Sequence, residues 1–234
     1  MNKEEFEKAL SELKIKYNNK MLSQLEEYSN LLIEENKKYN LTSITNKESI
    51  YLKHFLDSLT ITKIINLNNQ SLCDIGTGAG FPGLVLKIFY PNLDITLIEA
   101  TNKKCNFLNL VINRLHLTKI KVINERAEIY SKNNREIYDI AISRAVAPLP
   151  HLLEYSTPII KVNGHIISMK GNVEDELKSI SGYNKKLYVT LLNKKTFNLP
   201  IENSIRTLLI FQKYKPTPMI YPRSYKDIKS KPIK

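Results

Sequence analysis

From Leu72 onward, short β-branched runs alternate with helical stretches, and this alternation limits the possible folds more than any other feature. Seven runs predict strands, at Leu72–Ile75, Ile95–Ile98, Ile120–Ile123, Ile140–Ser143, His165–Met169, Tyr188–Leu192 and Ile205–Phe211. Helical patterns between them imply βαβ crossovers, and therefore a parallel sheet buried on both faces. The last two runs flank a turn-like Asn198–Pro200 and are expected to form a hairpin. The sequence thus predicts an α/β fold with a seven-stranded, mostly parallel sheet.

The chain before residue 71 has a helical period instead. Apolar residues recur at three- and four-residue spacing over Phe6–Leu13 and Met21–Leu32, flanked by Lys and Glu, which predicts two amphipathic helices. A third helix is expected to start with Thr45 or Asn46 as its cap and to run through Leu59.

The last part of the chain lacks any period. Its prolines, which stand among lysines and tyrosines, are Pro216, Pro218, Pro222 and Pro232. Such a composition predicts an extended arm or a disordered tail. We therefore expect a helical extension over 1–70, a core domain over 71–212 and a basic, proline-containing arm over 213–234.

The net charge of +12 is unevenly distributed along the chain. Residues 1–70 carry ten basic and ten acidic side chains, whereas residues 194–234 carry ten basic and only two acidic ones. A basic region of this kind is typical of proteins that contact phosphates, and it favours a nucleic-acid partner. The alternative is a coding bias towards Asn, Ile and Lys with no ligand behind it.

Several classes of protein are disfavoured by simple features. No apolar run approaches the roughly 20 residues that span a bilayer, and Met1–Glu5 carries acids where an export signal would carry a basic patch. We therefore expect a cytoplasmic protein without a membrane partner. Cys73 and Cys105 are too few for a disulfide framework, and no Cys/His spacing predicts a zinc site, so no metal is expected.

The segment Asp74–Gly83 is the most informative motif, because it follows the first predicted strand and precedes a helix. Gly76, Gly78 and Gly80 permit unusual backbone torsions and leave the main chain open to a ligand. Glu99 ends the second strand, where a carboxylate can accept hydrogen bonds from both hydroxyls of a ribose. Together they predict a nucleoside cofactor.

The register of the glycines indicates which cofactor. Dinucleotide sites use G-x-G-x-x-G, whereas this run is G-x-G-x-G with Asp74 two residues before the first glycine. An acid there would repel a pyrophosphate but attract the α-ammonium group of a methionine moiety, directly or through water. This favours S-adenosylmethionine. A nicotinamide or flavin cofactor, or a purely structural turn, remain as alternatives.

Further candidates follow the later strands at the same edge of the sheet. Ala127 and Glu128 follow the third strand, where Rossmann-like methyltransferases contact adenine, although Glu128 also suits a helix start. Arg144 ends the fourth strand, and we expect it to face a ligand. Lys170 closes the fifth strand and is a weaker candidate for contact with phosphate.

The sequence offers no obvious acid–base pair. His54 and His151 are possible bases, but single histidines on apolar helices are more often packed or capping residues. Ala147–Pro150 stands where an exocyclic-amine methylase would carry an Asn/Asp-Pro-Pro-aromatic run, and no cysteine lies where a pyrimidine C5 methylase needs its nucleophile. A target atom with a free lone pair, such as guanine N7, needs no base.

A set of short segments spread over nearly the whole chain matches one known family, and these segments are Tyr39–Thr42, His54–Leu59, Asp74–Gly83, Lys103–Lys104, Phe107–Leu108, Arg126–Glu128, Ser143–Ala147, Lys170–Gly171 and Tyr221–Arg223. In these segments the chain resembles the family of small-subunit ribosomal RNA methyltransferase G, also called glucose-inhibited division protein B. Two departures are Glu99–Ala100, where the family commonly has Asp-Ser, and Ser224–Asp227, where it tends to have a basic residue and a glycine.

The resemblance implies a Rossmann-like class I methyltransferase fold with an N-terminal helical extension. It implies transfer from S-adenosylmethionine to N7 of one guanine of 16S ribosomal RNA near the decoding centre, within the small subunit. Cofactor contacts carry over to Gly76, Phe81, Ala127, Glu128 and Arg144, and the acid of the second strand to Glu99. With Asp74 and Gly78 from the turn, these are the predicted cofactor residues; Arg144 and Lys170 are the positioning candidates.

Two other functions stay open at this point. One is a methyltransferase that acts on transfer RNA or a small molecule, although the basic terminal stretch argues against a small molecule. The other is an RNA-binding assembly factor with a vestigial cofactor site, although the intact Asp74, glycine run and Glu99 argue against decay.

Overall fold

The computed structural model describes residues 1–231 and 233, which are built around a seven-stranded sheet of order β3-β2-β1-β4-β5-β7-β6. The strands are β1 (Ser71–Ile75), β2 (Asp94–Glu99), β3 (Ile120–Asn124), β4 (Tyr138–Arg144), β5 (Ile160–Lys170), β6 (Val189–Asn198) and β7 (Ile205–Lys213). The first five strands pair in parallel, whereas β7 pairs antiparallel with β5 and with β6. The predicted α/β fold, with its mostly parallel sheet and terminal hairpin, is confirmed.

Two strands, β5 and β6, exceed their predicted lengths by the most residues. The strand β5 begins at Ile160, five residues before the predicted start at His165. The sequence pattern missed these residues because a polar stretch, with Asn163 at φ +67, interrupts the apolar period of the strand. The strand β6 continues to Asn198, and its residues 190–196 are all exposed. An exposed edge strand needs no apolar alternation, since its backbone pairing with β7 is enough to define it.

The N-terminal region consists of helices, as predicted. They are α1 (Lys3–Glu12), α2 (Asn19–Tyr39), α3 (Lys47–Ile50) and α4 (Asp57–Leu59), with a π-helical segment over Tyr51–Leu56 between the last two and a 3₁₀ turn over Thr60–Lys63. The side chain of Asn46 caps α3 by accepting a hydrogen bond from Ser49 N at 3.0 Å. The third predicted helix therefore starts where expected, but it is not a uniform α-helix.

The sheet is covered on both faces because successive side chains of a strand point to opposite sides. Leu72 and Ile142 belong to a core shared with the N-terminal helices and with α5 (Gly83–Phe89) and α6 (Asn102–Arg114). Cys73 and Ala141, their neighbours along the chain, belong to the core of the opposite face. That face is covered by α7 (Ala127–Asn133), α8 (Leu149–Ser156), α9 (Glu174–Lys178) and α10 (Tyr183–Leu187).

The N-terminal helices pack directly on the sheet. Tyr28 of α2 is fully buried, stacks on Phe81 with ring centroids 5.4 Å apart, and donates its hydroxyl hydrogen to the carbonyl oxygen of Ala79. The helical extension therefore reaches the glycine-rich segment that follows β1. The division into a helical extension over 1–70 and a core domain over 71–212 stays a prediction.

The described part of the C-terminal region packs against the core, which argues against a disordered tail, although residues 214–224 contain neither helix nor strand. Lys213 is fully buried, and its ammonium group donates to Glu136 Oε1 at 2.9 Å and to two backbone carbonyls. Further along, the Arg135 guanidinium donates to the carbonyls of Thr217 and Tyr221, and a short helix α11 (Tyr225–Ser230) follows. Pro232, one of the prolines behind that expectation, lies outside the described residues.

The burial of the two cysteines and the length of the helices bear on the disulfide-rich and membrane-spanning classes that the sequence disfavours. Both cysteines are buried free thiols. Among residues 1–231 and 233, no helix is both long and apolar enough to cross a bilayer.

Candidate active site at the carboxyl edge of the sheet

A cavity of about 780 Å³ lies where the parallel strands end. It brings together most of the residues predicted from the sequence, namely Gly76, Gly78, Phe81, Glu99, Ala127, Glu128 and Arg144. These residues follow β1, β2, β3 and β4, whose carboxyl ends must meet at one edge of a parallel sheet. The edge that the sequence singled out is thus the edge that carries the main cavity.

Asp74 lies below this cavity and does not line it. The side chain is fully buried, and its Oδ2 accepts hydrogen bonds from Thr77 Oγ1 at 2.6 Å and from Gly83 N at 2.8 Å. Its Oδ1 has no hydrogen-bond partner in the described part of the chain. Burial raises the pKa of this carboxyl to about 6. The position of Asp74 makes it a brace for the turn, and its predicted contact with an α-ammonium group stays a prediction.

Gly76 and Gly78 of the turn have different surroundings. Gly76 and Gly78 both have φ +64, a left-handed conformation that side chains disfavour. A Cβ at Gly76 would lie 2.6 Å from the Val146 side chain, whereas a Cβ at Gly78 would meet nothing within 4 Å. Gly78 therefore borders the open cavity, and Gly76 allows the loop after β4 to pack against the turn.

Glu99 fixes the other side of the turn. Its Oε2 accepts a hydrogen bond from Gly78 N at 3.1 Å, and its Oε1 accepts one from Thr101 N at 2.8 Å. The side chain is buried but borders the cavity. Each carboxylate oxygen can accept more than one hydrogen bond, so Glu99 can hold the turn and also accept from the hydroxyls of a ligand.

His54 is a neutral, fully engaged imidazole. Its ring stacks on Phe81 with centroids 4.2 Å apart, and Nδ1 lies 3.1 Å from Arg144 Nη2. Because a guanidinium can only donate, Nδ1 is the acceptor, and the proton sits on Nε2, 3.0 Å from Thr42 Oγ1. Burial, with the charge of Arg144, lowers the pKa of His54 to about 3. The possible base that the sequence suggested has no free lone pair.

Arg144 is held by the π-helical segment. Its Nη1 donates to the carbonyl oxygen of Lys53 at 2.8 Å and to Asp57 Oδ2 at 3.2 Å. In an α-helix the Lys53 carbonyl would accept from Asp57 N, but Asp57 N donates to His54 O and Leu52 O, three and five residues back. The wider turn thus releases the Lys53 carbonyl for the arginine.

Asp57 joins a third element to this cluster. Its Oδ1 accepts a hydrogen bond from Arg206 Nε of β7 at 3.0 Å, so one carboxylate lies between two guanidinium groups. The carboxylate is almost completely buried and does not line the cavity. Its effect on any ligand must therefore pass through Arg144.

Lys170 does not reach the cavity. Its ammonium group donates to the carbonyl oxygen of Ala147 at 2.6 Å and to Glu176 Oε2 at 2.8 Å, and the same Oε2 accepts from Leu149 N. These contacts fix the loop between β4 and α8. The geometry favours support of that loop over the contact with phosphate suggested by its position after β5.

Some residues line the cavity without having been predicted as site residues, among them Thr42, Tyr155, Tyr225 and Lys229. Thr42 belongs to the segment after α2, and Tyr155 lies on α8, beside the suggested base His151. No sequence signal marks Tyr225 and Lys229, because they lie in the stretch without periodicity. Their presence also means that deleting the whole arm would alter this cavity, so such a deletion cannot isolate contacts with phosphate.

In the part of the chain that the structure describes, no group of three or more His, Cys, Asp or Glu side chains is arranged to hold a metal ion.

Comparisons with known proteins identify similar chains. The family model described as rRNA small subunit methyltransferase G matches residues 21–205. A ribosomal RNA small subunit methyltransferase G from Mesoplasma florum is 49% identical over 205 residues, covering 87% of this chain and 86% of that protein. The protein of the same name from Desulforamulus reducens is 47% identical over 212 residues, covering 89% of this chain and 88% of its own.

Solved structures share the fold at low sequence identity. TYW2 from M. jannaschii, in complex with AdoMet, has a TM-score of 0.54 and 15% identity, with 67% of this chain and 76% of that chain covered. A SAM-dependent methyltransferase from Aquifex aeolicus has a TM-score of 0.54 and 12% identity, with 74% and 97% covered. These likenesses confirm the predicted methyltransferase architecture.

The variant His54→Gln tests the neutral imidazole. A folded-state pKa of about 3 lies below the unfolded value of about 6.5, so the unfolded chain binds the extra proton and stability is lost as the pH falls through this window. We expect the stability advantage of the wild type over the variant to shrink by about 1.4 kcal/mol per pH unit between about pH 6 and pH 4.

Urea unfolding of both proteins across this pH range measures the difference. The raised pKa of Asp74 acts in the opposite direction, but Asp74 is present in both proteins and its effect largely cancels. A stability difference that does not change with pH would mean that His54 titrates normally in the folded protein.

Proposed function

This chain belongs to the family of ribosomal RNA small subunit methyltransferase G, and from that premise we propose that it methylates N7 of one guanine in 16S ribosomal RNA. The methyl donor is S-adenosylmethionine. We further propose that the substrate is the RNA within the small subunit, near the decoding centre, and that the reaction takes place in the cytoplasm. The names of the similar proteins state the kind of RNA but not the methylated atom. The choice of N7 therefore rests on the family resemblance and on the chemistry below.

The observation that carries the proposal is the open space beside Gly78, next to the carboxylate of Glu99. A Cβ at Gly78 would stand in the cavity, and Glu99 Oε2 lies 3.1 Å from Gly78 N. A glycine backbone next to a strand-end carboxylate suits the sugar and amino-acid parts of a nucleoside with a charged tail. The buried Oδ1 of Asp74, which has no partner among the described residues, adds an acceptor below the turn.

We assign Glu99, Glu128 and the backbone at Gly78 and Ala127 to holding the cofactor, and Phe81 and Arg144 line the same cavity. When bound, S-adenosylmethionine supplies a methyl group on a positively charged sulfur. The remaining requirement is geometric, because guanine N7 has a free lone pair and loses no proton before it attacks.

Arg144 is suited to positioning and not to proton transfer. A guanidinium keeps its charge, and this one is fixed by Lys53 O, His54 Nδ1 and Asp57 Oδ2. It also lies over the ring of Phe81, with 5.2 Å between the guanidinium carbon and the ring centroid. We propose that this fixed guanidinium orients the cofactor or a phosphate of the substrate. Asp57, His54 and Phe81 would then limit where it can point.

The charges around the cavity support an RNA substrate. Basic side chains at the cavity come from separate elements, namely Lys104 of α6, Arg126 before α7 and Lys229 of α11, while Glu99 and Glu128 also border it. Lys213 and Arg223, two cations of the C-terminal region, already pair with Glu136 and Glu154. Contacts with phosphate are therefore assigned to exposed side chains such as Lys215, Lys226 and Lys231.

The direct test uses S-adenosylmethionine with a labelled methyl group and small subunits that lack the modification. We expect one methyl group on N7 of one 16S guanine, located by nuclease digestion and mass spectrometry. In single-turnover experiments the rate should stay flat from neutral to mildly alkaline pH, because no proton leaves before attack.

Protein-free 16S RNA and transfer RNA, incubated in parallel, identify the preferred substrate. Label on an exocyclic nitrogen, or a rate that rises tenfold per pH unit without a plateau, would refute the assignment to N7. Label on transfer RNA alone would mean that transfer RNA, and not 16S ribosomal RNA, is the substrate.

The cofactor assignment is tested by Gly78→Val, with Gly171→Val as a control for an added side chain. Because Gly78 has φ +64 and Gly171 is not among the positive-φ glycines, urea unfolding of both variants measures the backbone strain separately. A valine at 78 projects into the cavity, whereas a Cβ at Gly171 comes no closer than 3.9 Å to another atom outside its immediate neighbours, the Ile205 carbonyl oxygen. We expect Gly78→Val to weaken S-adenosylhomocysteine binding at least tenfold, or about 1.4 kcal/mol, while unfolding stays cooperative. Gly171→Val should bind like the wild type.

Calorimetric titration of the three proteins gives the affinities. Gly76→Val is a poorer probe, because its Cβ would meet Val146 and disturb the loop after β4. Equal affinity of Gly78→Val and the wild type would place the cofactor elsewhere.

A further inference from the structure

Arg126 connects the C-terminal helix to a carboxylate of the cavity. Its Nε donates to Glu128 Oε1 at 2.6 Å, and its guanidinium carbon lies 4.4 Å from the centroid of the Tyr225 ring. The side chain of Arg126 is half exposed, whereas that of Glu128 is only 10% exposed. Tyr225, Arg126 and Glu128 all line the cavity. They form a chain of contacts that we call the Tyr225–Arg126–Glu128 clasp.

The aromatic end of the clasp is firmly held. Two residues before Tyr225, the Arg223 side chain makes a two-pronged ion pair with Glu154, at 2.7 Å for Nη2 to Oε2 and 2.8 Å for Nε to Oε1. Glu154 is 1% exposed, and its Oε1 also accepts from the backbone nitrogen of Arg223 at 2.9 Å. Ile228 of α11 is buried as well. The chain is therefore attached to the core on both sides of Tyr225, and this residue does not belong to a loose tail.

The clasp limits the freedom of an otherwise mobile charge pair. An exposed arginine loses side-chain entropy when it pairs with a carboxylate, and such pairs are individually weak. A cation over the face of an aromatic ring gains further attraction and is confined to one plane. Stacking on Tyr225 thus keeps the Arg126 guanidinium, and with it Glu128 Oε1, in one arrangement.

The second oxygen of Glu128 is then available for a ligand. Among the described residues no donor binds Glu128 Oε2, and the side chain borders the cavity at the start of α7. An ionised carboxylate accepts hydrogen bonds and cannot donate them. At a nucleobase it accepts from an amino group and repels a carbonyl oxygen, so it can distinguish a 6-amino purine from a 6-oxo purine.

We propose that Tyr225 is a positioning residue for base selection: by holding Arg126 it orients Glu128, which selects the 6-amino purine of the cofactor over a 6-oxo purine. This inference rests on the proposed function, because it takes the cavity to be the S-adenosylmethionine site. Tyr225 acts through Arg126 and Glu128. It affects discrimination between bases more than the affinity for the sugar or the amino-acid tail.

The experiment compares S-adenosylhomocysteine with S-inosylhomocysteine, which carries a 6-oxo purine. Calorimetry gives the affinity ratio of the two compounds for the wild type and for each variant. We expect the wild type to prefer the amino compound at least tenfold and Tyr225→Ala to reduce that preference at least threefold. Tyr225→Phe keeps the aromatic ring and should restore most of the preference.

Tyr214→Ala is the matched control. Tyr214 is 42% exposed and Tyr225 is 44% exposed, but Tyr214 packs against Tyr188 and does not line the cavity. Its removal should leave the affinity ratio unchanged. Glu128→Gln should lower the ratio by itself, because an amide can rotate to donate to a 6-oxo group. Adding Tyr225→Ala to Glu128→Gln should then cause no further loss of preference.

The outcomes distinguish a failure of the role inferred for Tyr225 from a failure of the proposed function. If Tyr225→Ala leaves both affinities unchanged, or weakens both compounds equally, the inference is overturned while cofactor binding stands. A wild type that binds both compounds equally also overturns it. If the wild type binds neither compound, the proposed function itself fails.

Discussion

The guanidinium of Arg144 is the contact on which the site depends, because it joins the end of β4 to the N-terminal helices. It donates to Lys53 O and Asp57, and it contacts Nδ1 of a neutral His54. Leaving a buried charge without its partner costs on the order of 3–5 kcal/mol, so a partly formed cluster is strongly disfavoured. The π-helical segment, the deprotonated imidazole and the shared carboxylate of Asp57 are parts of one arrangement.

The same arrangement ties the helical extension to the carboxyl edge of the sheet, where the cavity lies. His54 stacks on Phe81 at the end of the glycine turn, and Tyr28 donates to Ala79 within it. Asp74 and Glu99 brace the turn from below and from the side. The cavity therefore has walls from two regions distant in sequence, and neither region alone provides them. The extension contributes Thr42 and His54 to the wall, which makes it part of the site.

The sequence predicted what depends on local pattern and on the geometry of parallel sheets. The strands, the glycine turn and the meeting of Gly78, Glu99, Glu128 and Arg144 follow from periodicity and from the common edge of the strands. The π-helical segment, the pairing of Lys170 and the packing of α11 could not be predicted. The π-helical segment and the C-terminal helix depend on partners far along the chain, Arg144 and Glu154. The Lys170 ammonium is held by the carbonyl of Ala147 and by Glu176, and no local pattern reveals these contacts either.

The most direct test of the central claim is the affinity of Asp57→Asn for S-adenosylhomocysteine, measured by calorimetry beside Glu202→Gln. Asp57 does not line the cavity, and of the two guanidinium groups that it holds, that of Arg144 lines the cavity and that of Arg206 does not. Glu202 pairs with Lys53 on the surface at 2.8 Å. If Arg144 must be held for the site to form, Asp57→Asn weakens binding at least tenfold while unfolding stays cooperative, and Glu202→Gln binds like the wild type. Unchanged affinity in a folded Asp57→Asn protein would contradict this account.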